Sequence, residues 1–178
     1  MSNVHQAPVV IVEYDARWPR MFAEESASIR SVLGDKLVAL EHVGSTAVPG
    51  LAAKPIIDIL AGVRSLADSF ERIEPLKRIW YRYVPELEAD LPDRRYFHKG
   101  SADGRTHHLH MVEVVSHFWE RHLLFRDYLR RHPETAQEYA KLKKRLADEF
   151  RTDREGYTQA KTPFITAIEE KARSLSCD

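Results

Sequence analysis

Short runs of β-branched residues alternate with longer amphipathic segments along this chain. Residues 56–63, "IIDILAGV", are the clearest predicted strand, because the run is short and almost continuously apolar, as in a strand covered on both faces. Residues 8–14, 36–43 and 106–115 predict three further strands from their β-branched and alternating composition. Between about residues 80 and 105, strand-like pieces are separated by Pro, Asp and Gly, which is typical of hairpins.

Helical periodicity occupies the rest of the chain and dominates its C-terminal half. The pattern predicts helices over residues 15–34 and about 65–78. Two amphipathic segments, residues 118–132 and 133–150, come later, and a further helix follows Pro163. The fold class that follows is α/β (α+β), a mixed β-sheet with helices on one face and a helical C-terminal half.

Composition narrows the class of protein. At 178 residues the chain has the usual size of one domain, so a single domain over residues 1–178 is expected. The 27 Lys and Arg balance the 27 Asp and Glu, which gives no reason to expect duplex nucleic acid as a partner. No stretch approaches the ~20 apolar residues of a membrane-spanning helix, and the N-terminus does not resemble a secretory signal. We therefore expect no membrane partner and a cytoplasmic location. The only cysteine, Cys177, excludes an internal disulfide and a cysteine-based zinc site.

The stretch "HVGSTAVPGLAAKPIIDI", residues 42–59, holds the first candidate chemistry. Gly44 allows a sharp turn after a strand, which leaves the hydroxyl and N–H groups of Ser45 and Thr46 available to an anion. The alternative is a turn whose hydroxyls only cap the following backbone. Asp58 favours the functional interpretation, because a carboxylate inside an apolar strand requires a partner or a metal ion.

A second candidate group lies in the strand "HHLHMVEVV". Alternation places His108 and His110 on one face and Leu109 and Met111 on the other, so the two imidazoles are expected to face Asp58. Two imidazoles and a carboxylate would suit Zn²⁺, Mn²⁺ or Fe²⁺ better than Mg²⁺. The alternative is a pair of histidines that are satisfied within the sheet and only line a groove.

These segments together resemble the GrpB family, which belongs to the nucleotidyltransferase superfamily typified by DNA polymerase beta. The resemblance continues through "RRYFHKG", "HHLHMVEV", "RHLLFRDYLRRHPETAQEYAKLKKRLA" and "YTQAKTPFI", from about Val9 to Ala172. It implies a sheet of the nucleotidyltransferase type. In that superfamily, carboxylates after a Gly-Ser or Gly-Gly turn hold two divalent cations that orient a nucleoside triphosphate.

The sequence departs from the superfamily pattern at one carboxylate. Gly44, Ser45 and Asp58 are present at suitable spacing, but Leu60 stands where the second carboxylate of the strand is expected. The two-metal arrangement is therefore not implied. A single divalent ion, Mg²⁺, Mn²⁺ or Zn²⁺, stays the expected cofactor, and Glu41 or Glu113 is left open as the replacement acid.

Basic residues in the matching blocks are candidates for neutralising phosphate. Lys161, one helical turn after Tyr157, and Lys54, at the mouth of the Asp58 strand, are the preferred contacts. Lys143, in the run "KLKKRLADEF", is interpreted instead as part of a solvated helical face. The expected ligand and phosphate contacts are Gly44, Ser45, Thr46, Lys54, Arg95, Lys99, Tyr157 and Lys161.

The leading functional hypothesis is a metal-assisted phosphoryl or nucleotidyl transferase acting on a nucleotide-like or phosphorylated small molecule. Asp58 and His110 are the expected catalytic residues, and Asp58, His108 and His110 are the expected metal ligands. The alternative is an inactive module that binds nucleotides or anions, for which Leu60 is the most direct argument. A third hypothesis is an accessory factor linked to coenzyme A metabolism, because such domains occur fused to dephospho-coenzyme A kinase.

Overall fold

The computed structural model describes residues 8–67, 69–101 and 104–175, and these form a mixed five-stranded sheet flanked by helices. Cys177 and the first seven residues, which bear on the cysteine and secretory-signal expectations, lie outside the described residues. Within the described part, no helix combines the length and the apolar character needed to cross a membrane. The single domain and the cytoplasmic location stay predictions.

The sheet has the strand order β1-β2-β5-β4-β3. The central strands β2 and β5 are parallel neighbours, and the other pairs are antiparallel. The apolar run that predicted a strand covered on both faces is central strand β2, as its burial requires. The strands are β1 (Ala39–Val43), β2 (Ile57–Val63), β3 (Arg82–Tyr83), β4 (Arg94–Gly100) and β5 (Arg105–Glu113).

Local signals set the helix ends. Gly34 has a positive φ of 54° and ends the first helix, while Ser116 accepts a hydrogen bond from the Trp119 N–H and begins the third. Pro133 is the first residue of the fourth helix, where its missing N–H is not needed. The helices are α1 (Trp18–Leu33), α2 (Phe70–Arg78), α3 (His117–Arg131), α4 (Pro133–Phe150), α5 (Arg154–Ala160) and α6 (Thr162–Leu175).

The two faces of the sheet have different environments. Ile57 and Ile59 of β2 and Leu109 and Met111 of β5 point to one face, where they pack with α1 and α2 in the main hydrophobic core. Each such side chain contributes about 1.5–3 kcal/mol when fully buried. The residues between them point to the opposite face, toward the C-terminal helices. The alternation predicted for β5 is confirmed, and it decides which side chains reach the site.

Two predicted elements differ from the observed ones, and one observed helix was not predicted. Residues 8–14 form no strand but only a bridge between Val12 and Ala53, because Val9 packs with the C-terminal helices instead of joining the sheet. The predicted strand 36–43 begins at Ala39, after a short 3-10 turn over Gly34–Lys36. Helix α5 was not predicted as a separate element.

Candidate ligand-binding site

A cavity of about 360 Å³ lies between the second face of the sheet and the C-terminal helices. A concave space of this size, with polar groups pointing inward, is the usual form of a small-molecule site. The strands contribute Asp58, His108 and His110, and the loop after β1 contributes Gly44, Ser45 and Thr46. The loop before β2 and the C-terminal helices contribute Lys54, Arg121, His122, Phe125, Tyr139, Lys143, Tyr157, Lys161 and Glu169.

Asp58 and His108 form a hydrogen-bonded pair at the floor of the cavity. They are direct partners on the parallel strands β2 and β5, and Asp58 Oδ1 lies 3.0 Å from His108 Nδ1. Burial raises the pKa of the Asp58 carboxyl, but the His108 hydrogen bond and nearby positive charges, including Lys54, outweigh it. The pKa therefore stays below its usual value, and Asp58 is ionised at neutral pH.

Gly44 lets the turn after β1 approach this pair closely. Its φ is 70°, and a Cβ atom built on it would lie 2.5 Å from Asp58 Oδ2. Thr46, in contrast, uses its hydroxyl to hold the loop, because it donates to the Ile56 carbonyl at 3.2 Å and lies 3.0 Å from His42 Nε2. Ser45 has no side-chain hydrogen bond within the described part of the chain, so its hydroxyl is the one available to a ligand.

Three lysines reach the cavity from three different segments. The Nζ atoms of Lys54 and Lys161 lie 5.4 and 4.3 Å from the centre of the Tyr157 ring. Lys143 Nζ donates to the Ala52 carbonyl and lies 4.7 Å from the centre of the Tyr139 ring. Among the described residues, none of these ammonium groups forms an ion pair with a carboxylate.

Burial lowers the pKa values of these lysines, and nearby positive charges lower them further. Desolvation is the largest cause for each of them, followed for Lys143 and Lys161 by the charges of the other lysines. The pKa of Lys143 is lowered to about 7 and that of Lys161 to about 8. Contact with an electron-rich ring face and with a carbonyl dipole replaces only part of the lost hydration.

Local structure explains how Lys161 arrives at this position. Asp153 begins α5 by accepting a hydrogen bond from the Gly156 N–H at 2.8 Å. The following turn buries Tyr157, which is 1% exposed, and Lys161 lies one turn further on the same side. The break between α5 and α6 thus leaves the Lys161 ammonium group over the Tyr157 ring.

His110 lines the cavity from β5 and is half-buried. It sits between the rings of Tyr96 and Phe118, with centroid distances of 5.2 and 5.7 Å. Burial, followed by the nearby charge of Arg94, lowers the pKa of His110 to about 3, so its imidazole is neutral and weakly basic. Burial likewise lowers the pKa of His122, which is stacked on Phe118, to about 4.

The predicted metal ligands do not form a recognisable metal centre. Across residues 8–67, 69–101 and 104–175, no group of three or more His, Cys, Asp or Glu side chains is arranged to hold a metal ion. His108 Nδ1 is hydrogen-bonded to Asp58 instead of standing beside it as a second ligand. The three side chains as placed therefore do not fit the three-ligand site expected from the sequence.

Neither candidate for the replacement acid supplies a free carboxylate. Glu41 forms an ion pair with Arg126, with Oε2 2.7 Å from Nη1. Glu113 lies on the opposite face of β5 from the histidine pair and accepts the Leu66 N–H at 3.0 Å. Glu169 of α6 does line the cavity, but it is paired with Arg121 at 3.0 Å.

Two of the predicted phosphate contacts lie outside the cavity. β4 alternates so that Tyr96 faces His110, and Arg95 and Lys99 consequently point to the face covered by α1 and α2. Arg95 pairs with Glu88 at 3.2 Å, and Lys99 donates to both carboxylate oxygens of Glu25 at 3.0 Å. The expectation that they contact the same ligand as Asp58 is corrected by this alternation.

Lys143, in contrast, lies inside the cavity although the sequence predicted that it would face solvent. It was expected on a solvated helical face, but it is 2% exposed and lines the cavity, whereas Lys144 is solvated and pairs with Glu13. The signal was present in the helical period. Residues 136, 139, 146 and 147 of α4 are all buried, and position 143 lies on that same side.

Comparisons with known proteins identify the family of this chain. The family model described as "GrpB protein" matches residues 8–171. The chain belongs to the GrpB family. The crystal structure of the conserved protein GrpB from Enterococcus faecalis has a TM-score of 0.84 and 38% identity, covering 95% of this chain and all of that one. The fold is therefore the mixed sheet of the nucleotidyltransferase type that the resemblance implied.

GrpB-type chains also match parts of longer proteins. The UPF0157 protein YqkA of Bacillus subtilis is 44% identical over 176 residues, which is 97% of this chain but 50% of the relative. A dephospho-CoA kinase of Mycolicibacterium paratuberculosis is 31% identical over 185 residues, covering 92% of this chain and 46% of that protein. The chain thus spans about half the length of these two relatives.

Proposed function

We propose that this GrpB domain binds a phosphorylated, nucleotide-like small molecule in the cavity, with the phosphate at the lysine end. The observation that carries the proposal is the convergence of Lys54, Lys143 and Lys161, which have no carboxylate partner within the described residues. Ser45, on the loop after β1, offers a hydroxyl to the same ligand.

The lysine ammonium groups are only partly compensated for the water that they lose in the cavity. A buried ammonium group that has exchanged water for aromatic faces retains unfilled donor positions, and phosphate oxygens fill several of them at once. Each charge-assisted hydrogen bond of this kind contributes about 1.5–3 kcal/mol. The apolar wall formed by Phe125, Tyr139 and Ile165 would pack against the remainder of the ligand.

Phosphoryl or nucleotidyl transfer is a second candidate function, favoured by the Asp58–His108 hydrogen bond. An ionised carboxylate that binds an imidazole at Nδ1 fixes the orientation of the ring, as in a positioned acid or base. Nε2 of His108 is buried and has no hydrogen-bond partner among the described residues, and His110 lines the same cavity, so we would test both histidines for catalysis. The predicted divalent ion stays a prediction, and no step proposed here depends on it.

The similarity to dephospho-CoA kinases supports one choice of ligand to test. Those proteins carry a region similar to this domain within a longer chain, which keeps an accessory role near coenzyme A metabolism as a proposal. Dephospho-coenzyme A and coenzyme A therefore belong in a ligand screen beside ATP, AMP and pyrophosphate.

Thermal unfolding with and without ligand tests the binding proposal, because a ligand that binds only the folded state raises the midpoint. We expect at least one phosphorylated compound to raise the midpoint of the wild type, and Lys161→Met to abolish the shift. Lys144→Met is the matched control, since this neighbour of Lys143 is exposed and should respond as the wild type does. Parallel samples with Mg²⁺, Mn²⁺, Zn²⁺ or a chelator test the metal expectation separately.

Two results would contradict the proposal. The first is an unchanged midpoint with every phosphorylated compound, with or without metal. The second is a shift that Lys161→Met and Lys144→Met reduce equally, because this would place the ligand elsewhere on the surface.

A further inference from the structure

The charges that line the cavity do not balance. Lys54, Lys143 and Lys161 bring three ammonium groups, while Arg121 and Glu169 neutralise each other in an ion pair at 3.0 Å. Asp58 is the other carboxylate among the described lining residues, so the three lysines, when all are protonated, exceed it by two charges.

We infer that the anionic group recognised here carries at least two negative charges, as a phosphomonoester or a diphosphate terminus does and a phosphodiester does not. This inference rests on the proposed function and specifies its substrate class. Three lysines from separate segments surround one end of the cavity, and a group with one negative charge would leave at least one of them uncompensated.

The geometry favours a terminal group over an internal one. Lys161 and Lys54 come from separate segments but both lie over one ring, that of Tyr157, and Lys143 lies over the Tyr139 ring. A terminal phosphate presents three free oxygens that share about two negative charges, so each lysine can bind a separate oxygen, whereas a diester presents two free oxygens that share one charge. The three lysines therefore match the three free oxygens of a terminal phosphate.

Binding of a dianion in the cavity should be accompanied by proton uptake, whereas attraction to fully protonated surface lysines should not. The pKa of Lys143 is about 7 and that of Lys161 about 8 in the free protein, so at pH 8 these two lysines are only partly protonated. A dianion bound beside them would raise both pKa values toward the ordinary lysine value. Binding at pH 8 should therefore take up on the order of one proton per ligand.

AMP and 3′,5′-cyclic AMP form a matched pair of probes, since they share base and sugar and differ in the charge of the phosphate. Isothermal titration calorimetry on the full chain at pH 8, in two buffers of different ionisation enthalpy, gives affinity and proton uptake together. We expect AMP and inorganic pyrophosphate to bind at least about tenfold more tightly than cyclic AMP, with protons taken up. Lys143→Met and Lys161→Met should each remove most of this preference and reduce the uptake, while Lys144→Met should change neither.

The outcomes separate this inference from the function on which it rests. Equal affinities for AMP and cyclic AMP, or AMP binding without proton uptake, would overturn the inference and leave phosphate-ligand binding standing. Absence of binding by AMP, cyclic AMP and pyrophosphate alike would overturn both. If Lys143→Met fails to fold, Lys161→Met and the two wild-type ligands still decide the question.

Discussion

At the scale of single residues, the site depends on a contact that only glycine permits. Gly44 brings the turn after β1 against Asp58, and a Cβ atom there would meet the carboxylate oxygen at 2.5 Å and the Asp58 Cβ at 3.1 Å. Both are atoms of a side chain fixed by its strand and by His108. The positive φ adds a second penalty for any other residue.

Gly44→Ala should therefore destabilise the protein by about 2 kcal/mol or more and weaken ligand binding, since both strain and overlap act on it. Gly50→Ala is the matched control, because Gly50 also has a positive φ, 76°, but has open space where the Cβ would lie. Urea unfolding of both variants measures the difference. Equal losses of stability would show that backbone strain alone, and not the approach to Asp58, requires glycine at position 44.

At the scale of elements, α4 shows how one helix can combine an anchoring face with a functional group. Tyr139, Leu146 and Ala147 bury their side chains on the same side as Lys143. The helix therefore carries a lysine into the cavity on its apolar stripe, and the next residue, Lys144, returns to solvent. The penalty for burying this ammonium group appears in its pKa of about 7.

The lowered pKa values of Lys143 and Lys161 predict how the free energy of unfolding changes above pH 7. A lysine whose pKa is lowered on folding binds more protons in the unfolded state, so the free energy of unfolding of the ligand-free protein should rise from pH 7 to about pH 10. Lys143→Met should flatten this rise, and Lys144→Met should leave it intact. Urea midpoints at pH 7, 8, 9 and 10 would measure it; a wild-type curve that falls over this range would contradict the burial argument.

At the scale of the whole molecule, both faces of the sheet hold neutral histidines, of which His42 is buried and His110 and His122 are half-buried at the cavity. His42 stacks on Phe22 of α1 on one face, while His110 and His122 pack around Phe118 on the other. Burial is the largest cause that lowers the pKa of His42 to about 4, of His110 to about 3 and of His122 to about 4. Their protonation would disrupt the two faces together.

The protein should consequently be labile in mild acid. Because these pKa values are lowered on folding, the unfolded state binds more protons below about pH 6.5, and stability should fall as the pH drops from 6.5 toward 4. The loss should reach a few kcal/mol in total. Urea unfolding at pH 7, 6 and 5 checks this, with His122→Gln expected to reduce the slope and the exposed His117→Gln to leave it unchanged. Equal stability at pH 7 and 5 would contradict it.

The sequence by itself determined the mixed fold, the central strand with Asp58, and the facing of His108 toward it, because period and composition fix which side chains share a face. It also indicated the Gly44 turn, Lys54, Tyr157 and Lys161, all of which line the cavity. Each of these depends on residues that are close in sequence or on strands whose alternation is regular.

Tertiary structure alone decided the rest. Which face of β4 looks into the cavity depends on its pairing with β5, and that register sends Arg95 and Lys99 to ion pairs under α1 and α2. Whether Lys143 faces solvent depends on how α4 packs, and whether Asp58, His108 and His110 share an ion depends on distances of a few ångströms. Periodicity assigns a residue to a side of its own element, but only the packing of elements determines what that side meets.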